Sequence, residues 1–105
     1  HPGVDMAGQR GTPVIATADG KVISAGRNGG YGKSVKIDHG HGFITRYGHM
    51  HKLNVKRGQI VKKGDKLGGM GSTGRSSGTH LHYEVIFQGR TYDPDKFLKA
   101  GNYVQ

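Results

Sequence analysis

Apolar residues along this chain fall in short runs, and glycine interrupts almost all of them. Runs rich in β-branched residues, bounded by turn formers, predict strands at Val14–Thr17, Lys21–Ala25, Ser34–Asp38, Phe43–His49, Gln59–Val61, Lys66–Gly68 and His80–Phe87. The last run begins with alternating character. Side chains alternate faces along a strand, so His80, His82 and Glu84 share one side while Leu81 and Tyr83 take the other. Between the runs stand Ala18-Asp19-Gly20, Arg27-Asn28-Gly29-Gly30, His39-Gly40-His41-Gly42 and Arg57-Gly58. Asn-Gly and Asp-Gly supply the positive φ angles that hairpins need. No long stretch has an amphipathic helical period. Asp93-Pro94-Asp95-Lys96-Phe97-Leu98 predicts one short helical turn, with Asp93 capping it and Pro94 at its first position. The pattern predicts one all-β domain over residues 1–105: a compact, hybrid-barrel-like antiparallel sheet with short turns, little helix and no internal linker.

Two segments have a character of their own. Val55–Leu67 alternates strand pieces with glycine turns, and Thr12–Val22 does much the same. Together they look like the folded-over strands of a hybrid barrel and are similar to biotinyl and lipoyl carrier domains. A carrier needs a modifiable Lys at a hairpin tip. Lys21, after Asp19-Gly20, fits that poorly, and a carrier leaves the histidines unexplained.

Composition narrows the chemistry. Glycine makes up 20 of 105 residues, well above the usual ~7%. Cysteine is absent, which excludes disulfides, thiolate metal sites and a cysteine nucleophile. Lys plus Arg outnumber Asp plus Glu by 16 to 7, a net charge of +9, which favours anionic partners: nucleic acid, acidic lipid or an anionic wall polymer. No recognition helix or aromatic stacking platform points to nucleic acid. No apolar run is long enough to span a membrane. The first residue is His1 rather than Met, so a processed piece or an excised domain of a longer chain is expected.

Seven histidines stand at 1, 39, 41, 49, 51, 80 and 82. His80-Leu81-His82 puts two imidazoles side by side on one strand face. His1-Pro2-Gly3-Val4-Asp5 places an imidazole and a carboxylate on a short loop that Pro2 and Gly3 let bend. Neither pattern is specific alone. Combined, they offer a His/Asp/His set, and three protein ligands that leave a fourth position open to water are the mark of catalytic rather than structural zinc. Such an ion brings the pKa of its water to about 7.

With these residues in view, the chain resembles the lysostaphin/LytM-type zinc metallopeptidases. The resemblance rests on His1-Pro-Gly-Val-Asp5, Tyr47-Gly-His49 and His80-Leu-His82. It is reinforced by Gly11-Thr-Pro-Val-Ile-Ala, Ala18-Asp-Gly-Lys-Val, Gly30-Tyr-Gly, Gly71-Ser-Thr-Gly74 and Gly78-Thr-His-Leu-His-Tyr-Glu-Val85, and runs from His1 to about Leu98. It implies that His1, Asp5 and His82 bind one zinc ion. His80 would act on the attacking water or stabilise the transition state, with His49 as its partner across the site. No His-Glu-x-x-His motif supplies a carboxylate base, and imidazole titrates in the right range to replace one. The implied activity is hydrolysis of peptide cross-links in bacterial peptidoglycan, in the periplasm or outside the cell. An upstream segment of the same protein could inhibit or target the domain.

Other residues follow at lower rank. Glu84, the only glutamate, is expected either to orient a ligand or to pair with a nearby Lys or Arg. His51 could share the face of His49. His39 and His41 read as loop residues beside a glycine turn, and His41 stands where the family often has Asn. Tyr31 and the loop 71–78 are expected to line the substrate groove. The alternative is a non-catalytic relative that binds wall or activates an amidase. The bond itself is left open between a glycyl-glycine bridge and a D-alanyl–diaminopimelate cross-link, with the Asp93–Gly101 close of the chain favouring the latter.

Overall fold

The computed structural model describes residues 3–74, 76 and 78–92, which form nine strands. These are β1 (Val4–Ala7), β2 (Pro13–Ile15), β3 (Gly20–Arg27), β4 (Lys33–Gly40), β5 (Phe43–Leu53), β6 (Ile60–Val61), β7 (Lys66–Met70), β8 (His80–Phe87) and β9 (Arg90–Tyr92). Every pairing among them is antiparallel. The main path runs β1-β8-β5-β4-β3-β6; β7 pairs with both β5 and β2, and β9 lies on β8. Among the described residues the one regular non-strand element is a 3-10 turn at Gly29–Tyr31, where the sequence predicted only a turn. The expected helical turn at Asp93–Leu98 and the proposed ligand His1 lie outside the described residues.

The two glycine-punctuated segments do fold onto each other. Gly64 donates to the Ala16 carbonyl and Ala16 to Asp65; Gly58 donates to Val22 and Val22 to Gln59. Their apolar residues Val14, Ala16, Val22, Val55, Val61 and Leu67 bury together with Val35, Ile37, Tyr47, Met50, Met70 and Leu81. Burial of each larger side chain contributes roughly 1.5–3 kcal/mol before entropy is counted. Gly68 permits the closest approach in this core: a Cβ there would stand 1.9 Å from the Lys52 carbonyl oxygen.

Most strand ends shift by one or two residues from the sequence expectation, and three larger differences each have a local reason. Val4–Ala7 is a strand rather than a loop, because it covers backbone groups of β8 that would otherwise form an open edge. Gln88-Gly89 turns the chain back, with Gln88 at φ 50°, and β9 pairs with the far end of β8. Strand β5 runs past His49 to Leu53 by changing partners. Gly48 lies opposite His82 on β8, whereas Met50 lies opposite Met70 on β7. His49, at φ 60°, sits at the switch.

Candidate metal centre and its histidines

Strand register brings the first pair together. Asp5 on β1 lies directly opposite His82 on β8, and facing residues of antiparallel strands have Cβ atoms about 5 Å apart. Asp5 Oδ1 stands 2.8 Å from His82 Nδ1 and 3.5 Å from His80 Nε2. The hydrogen bond with His82 holds the Asp5 carboxyl below its ordinary range against the opposing effect of partial burial, and the charges of His82, His80 and His49 add to it.

The other nitrogen of His82 is already engaged. Its Nε2 lies 2.8 Å from Glu84 Oε2, and Glu84 is fully buried. The same carboxylate receives Arg46 Nη1 on Oε1 at 2.9 Å and the Tyr31 hydroxyl on Oε2 at 3.0 Å. Arg46 faces Glu84 across β5 and β8, and its guanidinium sits 4.2 Å above the Tyr31 ring. A buried carboxylate needs such partners, since desolvating an unpaired charge is costly. Burial, together with the hydrogen bond it gives Glu84, pushes the Tyr31 phenol up. Glu84 thus takes both expected parts at once: it orients a histidine and pairs with an arginine.

This arrangement fits a metal ion of the zinc type. With Nε2 committed to Glu84, Nδ1 is the His82 atom directed at Asp5 Oδ1, and a histidine nitrogen beside a carboxylate oxygen is a zinc donor pair. A histidine ligand whose second nitrogen donates to a carboxylate is the usual supporting arrangement. Among the described residues no group of three such donors gathers. The third expected ligand, His1, is not among them.

His49 and His80 flank the pair, with ring centroids 5.0 Å apart, and His49 lies 5.9 Å from His82. Both have their tautomers set by the backbone. His49 Nδ1 donates to the Thr73 carbonyl at 2.7 Å, and His80 Nδ1 to the Gly78 carbonyl at 3.0 Å, with Ser76 Oγ at 3.1 Å. A carbonyl can only accept, so each ring leaves Nε2 for other partners.

The remaining candidates separate. Tyr31 lines the site, its ring 5.8 Å from that of His82. The described residues of the 71–78 loop border it through the Gly71–His80 bridge and the Thr73 and Gly78 carbonyls. Tyr47, despite its place in the Tyr-x-His pattern, points into the core, where its hydroxyl meets Thr17 and Thr45. His51 meets Arg10 instead of the cluster. His39 is a strand residue rather than a loop one, tying the Asp19 carbonyl to Thr45 Oγ1. His41 is exposed in the β4–β5 turn at φ 54°. Arg46 escaped the sequence reading; its signal was its register opposite Glu84, which becomes visible only once β5 and β8 are paired.

Comparison with known proteins adds to this geometry. Residues 1–94 match the model of peptidase family M23. A DD-carboxypeptidase/endopeptidase, Mpg, of Neisseria meningitidis is 46% identical over 94 residues, covering 90% of this chain and 22% of the relative. The murein hydrolase activator NlpD of Escherichia coli is 42% identical over 99 residues, covering 93% and 26%. The chain therefore spans about a quarter of the length of these curated relatives. Among solved structures, the catalytic domain of lysostaphin from Staphylococcus simulans superposes with a TM-score of 0.88 at 38% identity, covering 94% of this chain and 79% of that one. A zinc-containing peptidase from Vibrio cholerae gives 0.83 at 44% identity, covering 87% and 28%.

Proposed function

The chain belongs to peptidase family M23, and from that membership we propose that residues 1–105 form a zinc-dependent endopeptidase domain acting on peptide cross-links of bacterial peptidoglycan. One observation carries the reading: Asp5 Oδ1 and His82 Nδ1 converge at 2.8 Å while Glu84 occupies the other nitrogen of that histidine. His1, Asp5 and His82 would hold the ion. When bound, zinc supplies Lewis acidity toward the scissile carbonyl and a readily ionised water.

The residues of the chain divide the remaining work. Glu84 fixes the His82 ring, and Arg46 and Tyr31 fix Glu84. His80 and His49, with Nδ1 held to carbonyls, would use Nε2 to take a proton from water, to deliver one to the leaving amine and to stabilise charge on the scissile oxygen. Glu84 is too fully engaged to act as the base. Likeness to a peptidoglycan DD-endopeptidase of Vibrio cholerae and to a murein hydrolase activator supports a wall peptide as substrate and the cell envelope as the working compartment. An inhibitory or targeting segment elsewhere in a longer protein is part of the same proposal.

The likeness to NlpD favours a second reading, a module that activates a wall hydrolase without cutting peptide itself. Zinc content and digestion of purified peptidoglycan separate the two. Under the first reading the wild type carries one zinc and releases cross-link fragments, His82→Ala loses both, and His80→Ala keeps zinc but loses cleavage. Zinc-loaded wild type that releases nothing, yet stimulates an amidase, establishes the second.

A further inference from the structure

Arg10 and His51 lie outside the cluster described above, but close to it. His80 is the bridge partner of Gly71, and His51 also lies against Gly71, its backbone nitrogen 2.6 Å from where a Cβ at Gly71 would stand. His51 is therefore no more than two strand spacings, about 10 Å, from His80. The loop carrying Arg10 is pinned beside this row, since Gly11 donates to the Met70 carbonyl. Arg10 Nε and Nη2 both stand 3.3 Å from His51 Nδ1.

The chemistry of that contact is one-sided. Arginine can only donate, so His51 Nδ1 accepts and the His51 proton belongs on Nε2. The pair then presents only donors: the remaining guanidinium N–H groups and the imidazole Nε2–H. Lys33 Nζ, on the His51 carbonyl at 3.2 Å, adds a second cationic residue. Among the described residues no Asp or Glu forms an ion pair with Arg10 or Lys33. Arg10 is exposed and His51 half-buried, so a ligand can reach them. The Nε/Nη2 edge of Arg10 is taken by the imidazole, which leaves the outer Nη1/Nη2 edge, with no acidic partner among the described residues, for a planar anion.

We infer that Arg10 and His51 form a specificity subsite that binds a free carboxylate on the peptide within three residues of the cut bond. The inference rests on the reading of the adjacent cluster as a peptide-cleaving site. An extended peptide advances about 3.3 Å per residue, so a carboxylate within one to three residues of the scissile amide spans the distance from His80. A neutral glycine bridge offers the subsite nothing.

The test uses zinc-loaded protein and two synthetic cross-link peptides that differ only in that carboxylate, free in one and amidated in the other. Calorimetric titration should give a Kd about tenfold lower for the free acid, the scale of a charge-assisted hydrogen bond at a partly exposed site. Arg10→Ala should erase the preference, and an unchanged midpoint in urea titration shows that the fold is intact. Arg10→Lys should restore part of it. Equal affinity of the wild type for both peptides, no binding of the free acid, or a preference that survives both Arg10→Ala and His51→Ala overturns the subsite. Cleavage of the same peptides is scored separately. Preference without cleavage defeats the peptidase reading and leaves the subsite standing; cleavage without preference does the reverse.

Discussion

Glu84 Oε2 stands 2.8 Å from His82 Nε2, so the orientation of this histidine is settled by a buried carboxylate on its own strand. Zinc affinity should therefore depend on a residue that does not touch the ion. Glu84→Gln keeps the shape and loses the charge. It should weaken zinc binding roughly 10- to 100-fold in competition with a chromogenic chelator. Glu84→Ala strands the mostly buried Arg46 and should also destabilise the fold by about 3–5 kcal/mol in urea titration. Unchanged zinc affinity in Glu84→Gln would remove Glu84 from the site.

His49 and His80 should separate chemistry from metal binding. Alanine at either position should lower peptide cleavage by about 10²–10⁴ with zinc content unchanged. The double variant should lose far less than the product of the two losses, because groups that act as a unit are not additive. Loss of zinc from either single variant would recast that histidine as a ligand.

Strand β8 shows how much of this site was open to reading from sequence. Its alternation is unbroken, so period two alone put His80, His82 and Glu84 on one face, as they are. Strand β5 obeyed no such rule. Tyr47 and His49 are two residues apart, yet Tyr47 enters the core and His49 the site, because the chain switches partner at His49 with φ at 60°. A positive φ at a histidine leaves little trace in sequence, and only the Tyr-x-His resemblance marked the position. The same irregularity separates His51 from the cluster that alternation would have had it join. Asp5 was legible as a residue but not as a strand, since the register of a short edge strand depends on the partner it covers.

Gly32 and Gly74 should prove indispensable to His49 without touching it. Gly32 has φ 65°, and a Cβ there would be 2.4 Å from the Thr73 carbonyl carbon; Gly74 has φ 75°, and its Cβ would be 2.4 Å from the Gly32 nitrogen. The Thr73 carbonyl is the group that holds His49 Nδ1. Gly32→Ala should therefore cost about 2–4 kcal/mol of stability from strain and overpacking combined. It should also lower cleavage while zinc stays bound. Gly58→Ala is the control, with a similar φ of 94° and open space around it. That change should cost only about 1–2 kcal/mol and leave cleavage intact.

Tyr83 should shape the alkaline limit of stability. Its ring packs against the core beside Tyr47, and burial pushes its phenol above the ordinary 10.0, partly offset by the hydrogen bond with Thr17. A group whose pKa is raised on folding contributes fully below its unfolded pKa, where both states hold the proton. As pH rises past that value the unfolded chain ionises first, and stability falls until the folded pKa is passed. Tyr31 is shifted the same way, so the wild-type slope is composite. The difference from Tyr83→Phe isolates one phenol. That variant should be about 0.5–1.5 kcal/mol less stable near neutrality, through the lost hydrogen bond. Its deficit should shrink as urea titrations move from about pH 8 to about pH 11. A deficit that stays constant across that range would mean that the Tyr83 phenol ionises alike in the folded and unfolded chain.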